Sequence, residues 1–345
     1  MWLRNCWYVF AWDHEIPAAD EKSLFTRKVL GEPILVYRRA DGQLTALADK
    51  CCHRHAPLSK GVREGDNVRC GYHGMLFNPQ GQCVDLPGMP LPPKNACVKT
   101  YPLQVKNSWV FIWMGDPELA DPAALPDNFS CDHPDWSNIP GYMHYETPYL
   151  LIADNLLDFS HLSYVHAKTL GGSLAIAQSR PKIERVNKQG LQGVRVTRFI
   201  PNVPPPPFYQ RFQSFDGNID RWLDYDFMLP SVLLMDSGGR PCGADESDTT
   251  NCVRLHSCQA LTPETETSTH YFFQQSHPSE LKDPEVTQSI YNTLIEAFNE
   301  DRDMITAQYK NLVEGCEEQM LPIHFDSALI QFRKLLKELV EKESQ

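Results

Sequence analysis

Residues 51–77 read CCHRHAPLSKGVREGDNVRCGYHGMLF and contain four side chains that bind transition metals. Cys51 and His53 lie on one short loop, Cys70 and His73 lie on a second, and sixteen residues separate the two pairs. Each loop therefore offers one thiolate and one imidazole. Mixed pairs of this kind suit a [2Fe–2S] cluster in which both cysteines bind one iron and both histidines bind the other.

The ligand set predicts the redox behaviour of such a cluster. Two neutral imidazoles in place of two anionic thiolates raise the reduction potential to roughly −150 to +300 mV, from about −400 mV for plant-type clusters with four cysteines. The alternative is a structural zinc site, whose two cysteines usually share one turn and whose two histidines share another. Here each turn is mixed, which favours the iron–sulfur cluster.

A second constellation lies in residues 153–166, ADNLLDFSHLSYVH. Asn155, Asp158 and His161 are spaced three apart, which on a helix places them along one face. His166 follows five residues after His161, so both imidazoles can reach one ion only if the helix ends or loosens between them. The histidine pair suits Fe(II), zinc or copper, and a third, anionic ligand must come from elsewhere.

Candidates for that third ligand are Glu300, Asp301 and Asp303 in the predicted helix segment AFNEDRDMITAQ. Two histidines and one carboxylate on one face of an iron leave positions open for O₂ and substrate. The competing interpretation is that the histidines cap a polar helix and the acidic residues are solvated.

Length and charge restrict the class of protein. The 345 residues favour two domains, with an expected boundary at 1–120 and 121–345. The net charge of −12 argues against nucleic-acid binding. No apolar stretch reaches eighteen residues, so no membrane span is expected. The eleven cysteines are mostly scattered, which indicates free thiols in a reducing, cytoplasmic setting. Cys52, which lies between two cluster ligands, is expected to be a small packed side chain.

The predicted fold class is α+β. Short apolar runs separated by turn signals make residues 2–115 all-β, and the proline-rich stretch 86–95 is expected to cover the cluster. Farther on, a strand is expected over 141–151, a polyproline-like segment over 201–210 and a mobile loop over 236–248. Helices are predicted over 286–313 and 327–343, packed on an antiparallel sheet.

The two motifs together resemble a known family. CCHRHAPLSKG with CGYHGMLF resembles the Rieske signature of the oxygenase components of ring-hydroxylating and O-demethylating systems, although Cys52 stands where proline is usual. DNLLDFSHLSYVH resembles the N-x-x-D-x-x-H-x-x-x-x-H motif of the same family. The similarity extends to LTPETETSTHYFF at 261–273 and is greatest to the vanillate O-demethylase and toluenesulfonate methyl-monooxygenase group.

This resemblance implies a Rieske domain followed by a helix-grip catalytic domain with mononuclear Fe(II). It implies His161, His166 and Asp301 as iron ligands, with Asp303 as the second choice of carboxylate. Asp158 would carry electrons between a cluster histidine and an iron histidine, and Asn155 would lie beside it in the catalytic motif. The expected unit is a head-to-tail homotrimer.

The implied activity is that of a terminal monooxygenase. It would use O₂ and electrons from a reductase or ferredoxin to hydroxylate a methyl or methoxy carbon of a small aromatic acid. The alternative is a ring dioxygenase with the same metals.

Two further sets of residues are candidates for partner and substrate contacts. A basic rim of Arg54, Lys60, Arg63 and Arg69 could dock the electron donor. Gln259 and Asn292 could orient an acidic substrate, while the aromatic residues could clamp its ring or form core, including Phe208, Trp222 and Phe227.

Overall fold

The computed structural model describes residues 2–211, 213–247, 250–279, 283–315 and 320–344. The chain forms two compact units, Trp2–Pro122 with Thr262–Glu266, and Ala123–Leu261 with Thr267–Gln345. Asp248, at the end of the predicted mobile loop, and Cys316, one of the eleven cysteines, lie outside the described residues. No helix in these described ranges is long and apolar enough to cross a bilayer.

Three small antiparallel sheets make up the first unit, with the strand orders β1-β10-β9, β2-β3-β4 and β5-β6-β7-β8. The strands are β1 (Trp7–Trp12), β2 (Phe25–Val29), β3 (Glu32–Arg38), β4 (Leu44–Ala48), β5 (Val62–Glu64), β6 (Asn67–Arg69), β7 (Leu76–Phe77), β8 (Cys83–Asp85), β9 (Leu103–Lys106) and β10 (Trp109–Trp113). Both β1 and β10 are buried along their whole length, which explains their uninterrupted apolar sequences.

The second unit is organised on an eight-stranded antiparallel sheet of order β11-β18-β17-β16-β15-β14-β13, with β12 also paired to β18. Its strands are β11 (Trp136–Ser137), β12 (Gly141–Tyr145), β13 (Lys182–Lys188), β14 (Leu191–Val203), β15 (Ile219–Met228), β16 (Val232–Pro241), β17 (Val253–Pro263) and β18 (Thr269–Pro278). Helices pack on this sheet, so the predicted α+β class is confirmed.

Four α-helices accompany the sheet within the described residues: α1 (Tyr149–Leu157), α2 (Leu174–Gln178), α3 (Pro284–Val313) and α4 (Ser327–Glu343). The side chain of Asp283 caps α3 by accepting from the Glu285 amide at 2.9 Å, and Pro284 occupies the first turn. The ring of Phe332 in α4 meets that of Phe227 in β15 edge to face at 4.8 Å. Phe227 is fully buried and is therefore core, not a substrate clamp.

Two predicted boundaries in this unit are wrong. The strand expected over 141–151 ends at Tyr145, and α1 begins directly after Pro148. The polyproline-like segment expected from residue 201 is partly strand, because β14 continues to Val203. A bulge between Ile200 and Val203 removes Pro201 from the ladder, so its missing amide costs no hydrogen bond.

The mobile loop expected from residue 236 is also wrong in its first half, since β16 continues to Pro241. The glycines that suggested a loop serve a close approach within the sheet. A Cβ atom on Gly238 would come within 2.1 Å of the Val253 carbonyl oxygen and 2.4 Å of the Trp222 ring. Glycine is required there because Trp222 lies across the strand, with its indole donating to Asp236 at 2.6 Å.

Candidate metal centres

The two loops of the first centre share one hydrogen-bonding pattern. The Cys51 amide donates to the Ala56 carbonyl at 2.9 Å, and the His55 amide donates back to Cys51 at 2.9 Å. In the second loop, the Cys70 amide donates to the Met75 carbonyl at 2.8 Å, and the Gly74 amide donates to the Cys70 carbonyl at 3.1 Å. The fifth residue of each loop, His55 or Gly74, has a positive φ of 56° or 75°. Each turn therefore presents a cysteine and a histidine from a similarly bent backbone.

Burial separates the thiols from the imidazoles. Cys51 and Cys70 are each 2% exposed and belong to a core with Leu58, Val68 and Phe77, whereas His53 and His73 are exposed. The two imidazole rings lie 4.5 Å apart. Burial raises the pKa of the Cys51 thiol to about 11, so a bound cation is needed to hold this side chain as a thiolate at neutral pH.

The geometry favours a two-iron cluster over a single zinc ion. Zinc ligands lie about 2.0–2.3 Å from the ion, which brings all four ligand atoms within roughly 4 Å of one another. Here the two thiols lie in the core, and the two imidazoles lie at the surface with ring centroids 4.5 Å apart. A thiolate pair on one iron and an imidazole pair on the other account for this separation.

The proline-rich stretch lies where the sequence predicted it. A Cβ atom on Gly74 would come within 2.8 Å of the Pro87 side chain, so this stretch packs against the second ligand loop. Leu86 packs against the core that contains Cys51 and Cys70. The segment therefore covers one side of the ligand loops.

Two residues of the predicted basic rim are already engaged by other groups of the protein. Arg63 is buried, donates to the carbonyls of Glu21 and Gly65, and lies over the Tyr37 ring at 4.9 Å. Arg69 is held at 2.8 Å by Asp85 and also contacts Glu64. The Arg63 guanidinium is engaged inside the fold and that of Arg69 in surface ion pairs, whereas Arg54 and Lys60 are exposed and remain candidates for docking.

The second centre begins where α1 ends. Asp158 does not continue the helix as the spacing suggested, because its backbone is extended and the following residues form a 3₁₀ turn, Phe159–Ser163. Its Oδ1 caps that turn by accepting from the Ser160 amide at 2.9 Å and from the Ser160 hydroxyl. The chain thus leaves the helix before both histidines, which is the condition for their convergence.

Three ligand atoms then come together from two distant segments. The side chains of His161, His166 and Asp301 each offer one atom, and these atoms lie within 4.8 Å of one another. Oδ1 of Asp301 lies 3.0 Å from Nε2 of His166 and 3.6 Å from Nε2 of His161. The unit therefore contains a buried set of two imidazoles and one carboxylate.

Further hydrogen bonds orient each of these ligands. Nδ1 of His161 donates to the Asp158 carbonyl, and Nδ1 of His166 donates to Oε2 of Glu300 at 2.8 Å. Nδ2 of Asn155 donates to Oδ1 of Asp301 at 3.0 Å. Outer partners of this kind fix the ring tautomer, so that Nε2 of both histidines is available to a metal.

Two tyrosines of the sheet hold the ligand-bearing elements. The Tyr225 hydroxyl in β15 donates to the Leu157 carbonyl at 3.0 Å, at the end of α1. The Tyr145 hydroxyl in β12 donates to the Phe298 carbonyl at 2.8 Å, one turn before Asp301 in α3. These anchors, like the role of Glu300, were not anticipated from the sequence.

The charges of the site fit a divalent cation. Burial lowers the pKa of His161, which keeps the imidazole neutral and ready to bind. Burial acts in the same direction on His166, but the hydrogen bonds to Asp301 and Glu300 prevail and raise its pKa. Oδ1 of Asn155 is buried without a hydrogen-bond partner, which leaves a further polar atom turned into this region. Two nitrogens and one carboxylate oxygen suit Fe(II).

Asp301 and Asp303 lie on different faces of α3 and differ in burial. Asp301 is 5% exposed and lies on the buried stripe of α3 with Ala297, Phe298 and Ile305, whereas Asp303 is exposed. The geometry thus favours Asp301 as the anionic ligand.

The two candidate substrate residues have different surroundings. Gln259 in β17 is buried, and its Oε1 accepts from the Tyr271 hydroxyl. Asn292 is exposed on α3, accepts from Gln288 at 2.9 Å and lines an open groove beside Arg211. Only Gln259 lies in the interior of the unit.

Fold and site geometry agree with sequence comparisons. Residues 6–102 match the Rieske [2Fe-2S] domain, and residues 145–342 match the vanillate O-demethylase oxygenase C-terminal domain. The chain belongs to the Rieske-type oxygenases of the vanillate O-demethylase group.

Particular relatives extend over the whole chain. The iron–sulfur subunit of the toluene-4-sulfonate monooxygenase system of Comamonas testosteroni is 44% identical, covering 100% of this chain and 99% of that protein. A vanillate O-demethylase oxygenase subunit of a Pseudomonas species is 32% identical, covering 100% and 97%. The crystal structure of dicamba monooxygenase bound to dicamba is 30% identical, with a TM-score of 0.87 and 99% of each chain covered.

These relationships establish the class of enzyme. The protein is the oxygenase component of a multicomponent monooxygenase system, and its cofactors are a Rieske [2Fe–2S] cluster and a mononuclear non-haem iron. Such a component requires an electron donor. The predicted family, fold class and cofactors are therefore confirmed.

Proposed function

We propose that this oxygenase hydroxylates a methyl or methoxy carbon of a small aromatic acid, with a toluenesulfonate-type substrate as the first choice. The buried convergence of His161, His166 and Asp301 supports an O₂-dependent reaction, since three protein ligands leave the other positions of an iron open. The relative named for toluene-4-sulfonate, 44% identical along the full chain, supports the substrate class.

Cluster and iron ligands are assigned residue by residue. Cys51 and Cys70 would bind one iron of the cluster from the core, and His53 and His73 would bind the other at the surface. His161, His166 and Asp301 would bind the mononuclear iron, which when bound supplies the reductive activation of O₂. Asn155 and Glu300 hold the ligands in place through their hydrogen bonds.

Asp158 is the proposed bridge for electrons. Its Oδ1 is occupied by Ser160, whereas Oδ2 accepts no hydrogen bond from any residue that the structure describes, so it is free to contact a cluster histidine. Its own backbone carbonyl accepts from His161. The side chain and main chain of one residue thus offer a short route to an iron ligand.

Replacement of Asp158 by asparagine tests this bridge. Asparagine keeps the Oδ1 acceptor for Ser160, so we expect unchanged iron and sulfide content but loss of turnover. With O₂ and substrate present, the pre-reduced cluster should stay reduced in rapid-mixing experiments. Asp303→Asn is the matched control and should reoxidise normally. Normal product formation by Asp158→Asn would exclude the bridge.

Gln259 is the proposed substrate anchor. Tyr271 holds its Oε1, which leaves the amide NH₂ group as a donor toward a sulfonate or carboxylate. We expect Gln259→Leu to raise KM for an anionic substrate about tenfold or more, because a buried hydrogen bond to a charged group is worth roughly 1.5–3 kcal/mol. An unchanged KM in Gln259→Leu would exclude this role. Asn292→Leu, which alters an exposed residue of α3, is the control and should leave KM unchanged.

Product analysis decides the reaction type. The holoenzyme with a reducing partner, O₂ and toluene-4-sulfonate should give a hydroxymethyl product, and a methoxybenzoate should give a phenol with formaldehyde. A ring cis-diol from either substrate would instead establish the dioxygenase alternative.

The proposed assembly is a head-to-tail homotrimer, in which the cluster of one chain serves the iron of the next. Light scattering of the purified holoenzyme should give three times the 39.4 kDa chain mass. The proposed setting is the cytoplasm with a separate reductase or ferredoxin, and the ten described cysteines, none of them in a disulfide, support it.

A further inference from the structure

A cavity of about 330 Å³ lies in the first unit beside the first ligand loop, and two cysteines line it. Cys52 directly follows the cluster ligand Cys51 and is half-buried, while Cys97 is exposed. Neither thiol has a role in the cluster or the iron site. Their presence in one cavity is therefore unexplained by the proposed reaction.

The backbone brings the two cysteines to this cavity from segments that run side by side. Leu47 and Thr100 form an antiparallel bridge, and the Ala48 amide donates to the Lys99 carbonyl at 2.8 Å. Ala96 and Val98 point into the core that contains Cys51, and Cys52 packs against the same core. Cys97 lies between Ala96 and Val98 and faces the cavity instead.

We propose that Cys52 and Cys97 form a reversible disulfide, which makes this cavity a thiol-modification site next to the Rieske loop. A disulfide requires the sulfur atoms to approach to about 2.05 Å. Cys97 is exposed and Cys52 is half-buried on the wall of the same cavity, so this volume is the space in which the two side chains would meet. A nearby third thiol, Cys83, instead contacts the Asp85 carbonyl at 3.3 Å and does not line the cavity.

The oxidant in this proposal is a peroxide, and the steps balance. The exposed sulfur of Cys97 attacks one peroxide oxygen, the O–O bond breaks, and the leaving hydroxide takes a proton to become water. Cys52 then attacks the sulfenic sulfur, the S–S bond forms, and the S–O bond breaks as a second water leaves with the Cys52 proton. Two thiols lose two electrons and the peroxide gains them.

The consequence is local to the cluster. The bond would join the loop that carries Cys51 and His53 to the segment around Cys97, and it would remove a thiol hydrogen beside the ligand. Oxidation should therefore change the EPR spectrum of the reduced cluster. Reduction of the disulfide by a dithiol should restore the original spectrum.

Mass spectrometry of the holoenzyme tests the proposal without any turnover assay. After mild hydrogen peroxide, with retained iron and sulfide verifying an intact cluster, a peptide cross-linked through Cys52 and Cys97 is expected, and dithiothreitol should reverse it. The cross-link should be absent from Cys52→Ser and Cys97→Ser and present in Cys242→Ser, which removes an exposed thiol of the other unit. Two results would overturn the proposal: Cys52 that still reacts with an alkylating agent while Cys97 is oxidised, or a disulfide that joins either residue to Cys83.

Discussion

Replacing Glu300 by glutamine is the most direct test of how the iron site is built. Oε2 of Glu300 accepts from Nδ1 of His166 and from the Thr169 hydroxyl, both at 2.8 Å. Glutamine can still accept a hydrogen bond but lacks the negative charge, and altering an outer partner of a metal-bound histidine typically lowers metal affinity 10- to 100-fold. Because the Glu300 side chain is 33% exposed, we expect the lower end, about tenfold or 1.4 kcal/mol.

Anaerobic titration with a competing chelator measures this change. The fraction of chains that retain the mononuclear iron is followed against chelator concentration, while the sulfide content confirms that the Rieske cluster stays intact. Asp303→Asn removes the same charge from an exposed position of α3 and should leave the affinity unchanged. Thr169→Val should lower it by less than Glu300→Gln, because the carboxylate remains.

Two outcomes would refute this reasoning. Equal iron affinity in Glu300→Gln and the wild type would show that the carboxylate does not support His166. An equal loss in Asp303→Asn would show that the net charge of the protein, and not the charged partner of His166, determines the affinity.

Three other predictions concern stability. Phe227→Ala should lower the free energy of unfolding by about 3–5 kcal/mol in urea titrations, whereas Phe199→Ala, at an exposed position, should cost under about 1 kcal/mol. Gly238→Ala should cost roughly 1–3 kcal/mol because its Cβ has no space, while Gly217→Ala has nothing within 4 Å and should change the urea midpoint little. Burial lowers the pKa of His277, so the unfolded chain binds more protons than the folded one. The free energy of unfolding should therefore fall as the pH drops below about 6.5. The urea midpoint of His277→Gln should depend less on pH than that of the wild type.

The cluster loops were predictable because their chemistry is local. Each pair of ligands falls within four residues, and the same turn forms around both. The choice of Asp301 over Asp303 came from the family resemblance, and the burial pattern of α3 agrees with it. Ala297, Phe298 and Ile305 define the apolar stripe of α3, and Asp301 lies on it. A carboxylate on a buried stripe is unusual and is itself a signal of function.

Other features depend on contacts that no sequence period reveals. The end of α1 at Leu157 rests on the Asp158 cap and on a hydroxyl from Tyr225, 68 residues later. The glycine at 238, which resembles part of a loop, is required by Trp222 on the neighbouring strand, and the glycine at 239 is required by Ile219 and Tyr209. Arg63 was expected on a basic rim for docking, yet it is buried against a tyrosine ring and donates to two carbonyls.

The origin of the iron ligands has a consequence for purified enzyme. His166 and its partner Glu300 are 134 residues apart in sequence, so a metal bound to His166 and Asp301 links the segment after α1 to α3, the longest helix of the described residues. Metal bound only by the native state adds to its stability in proportion to the logarithm of free ferrous concentration. Enzyme from which a chelator has removed the iron should therefore have a lower melting temperature, and α3 should be the first element to unfold.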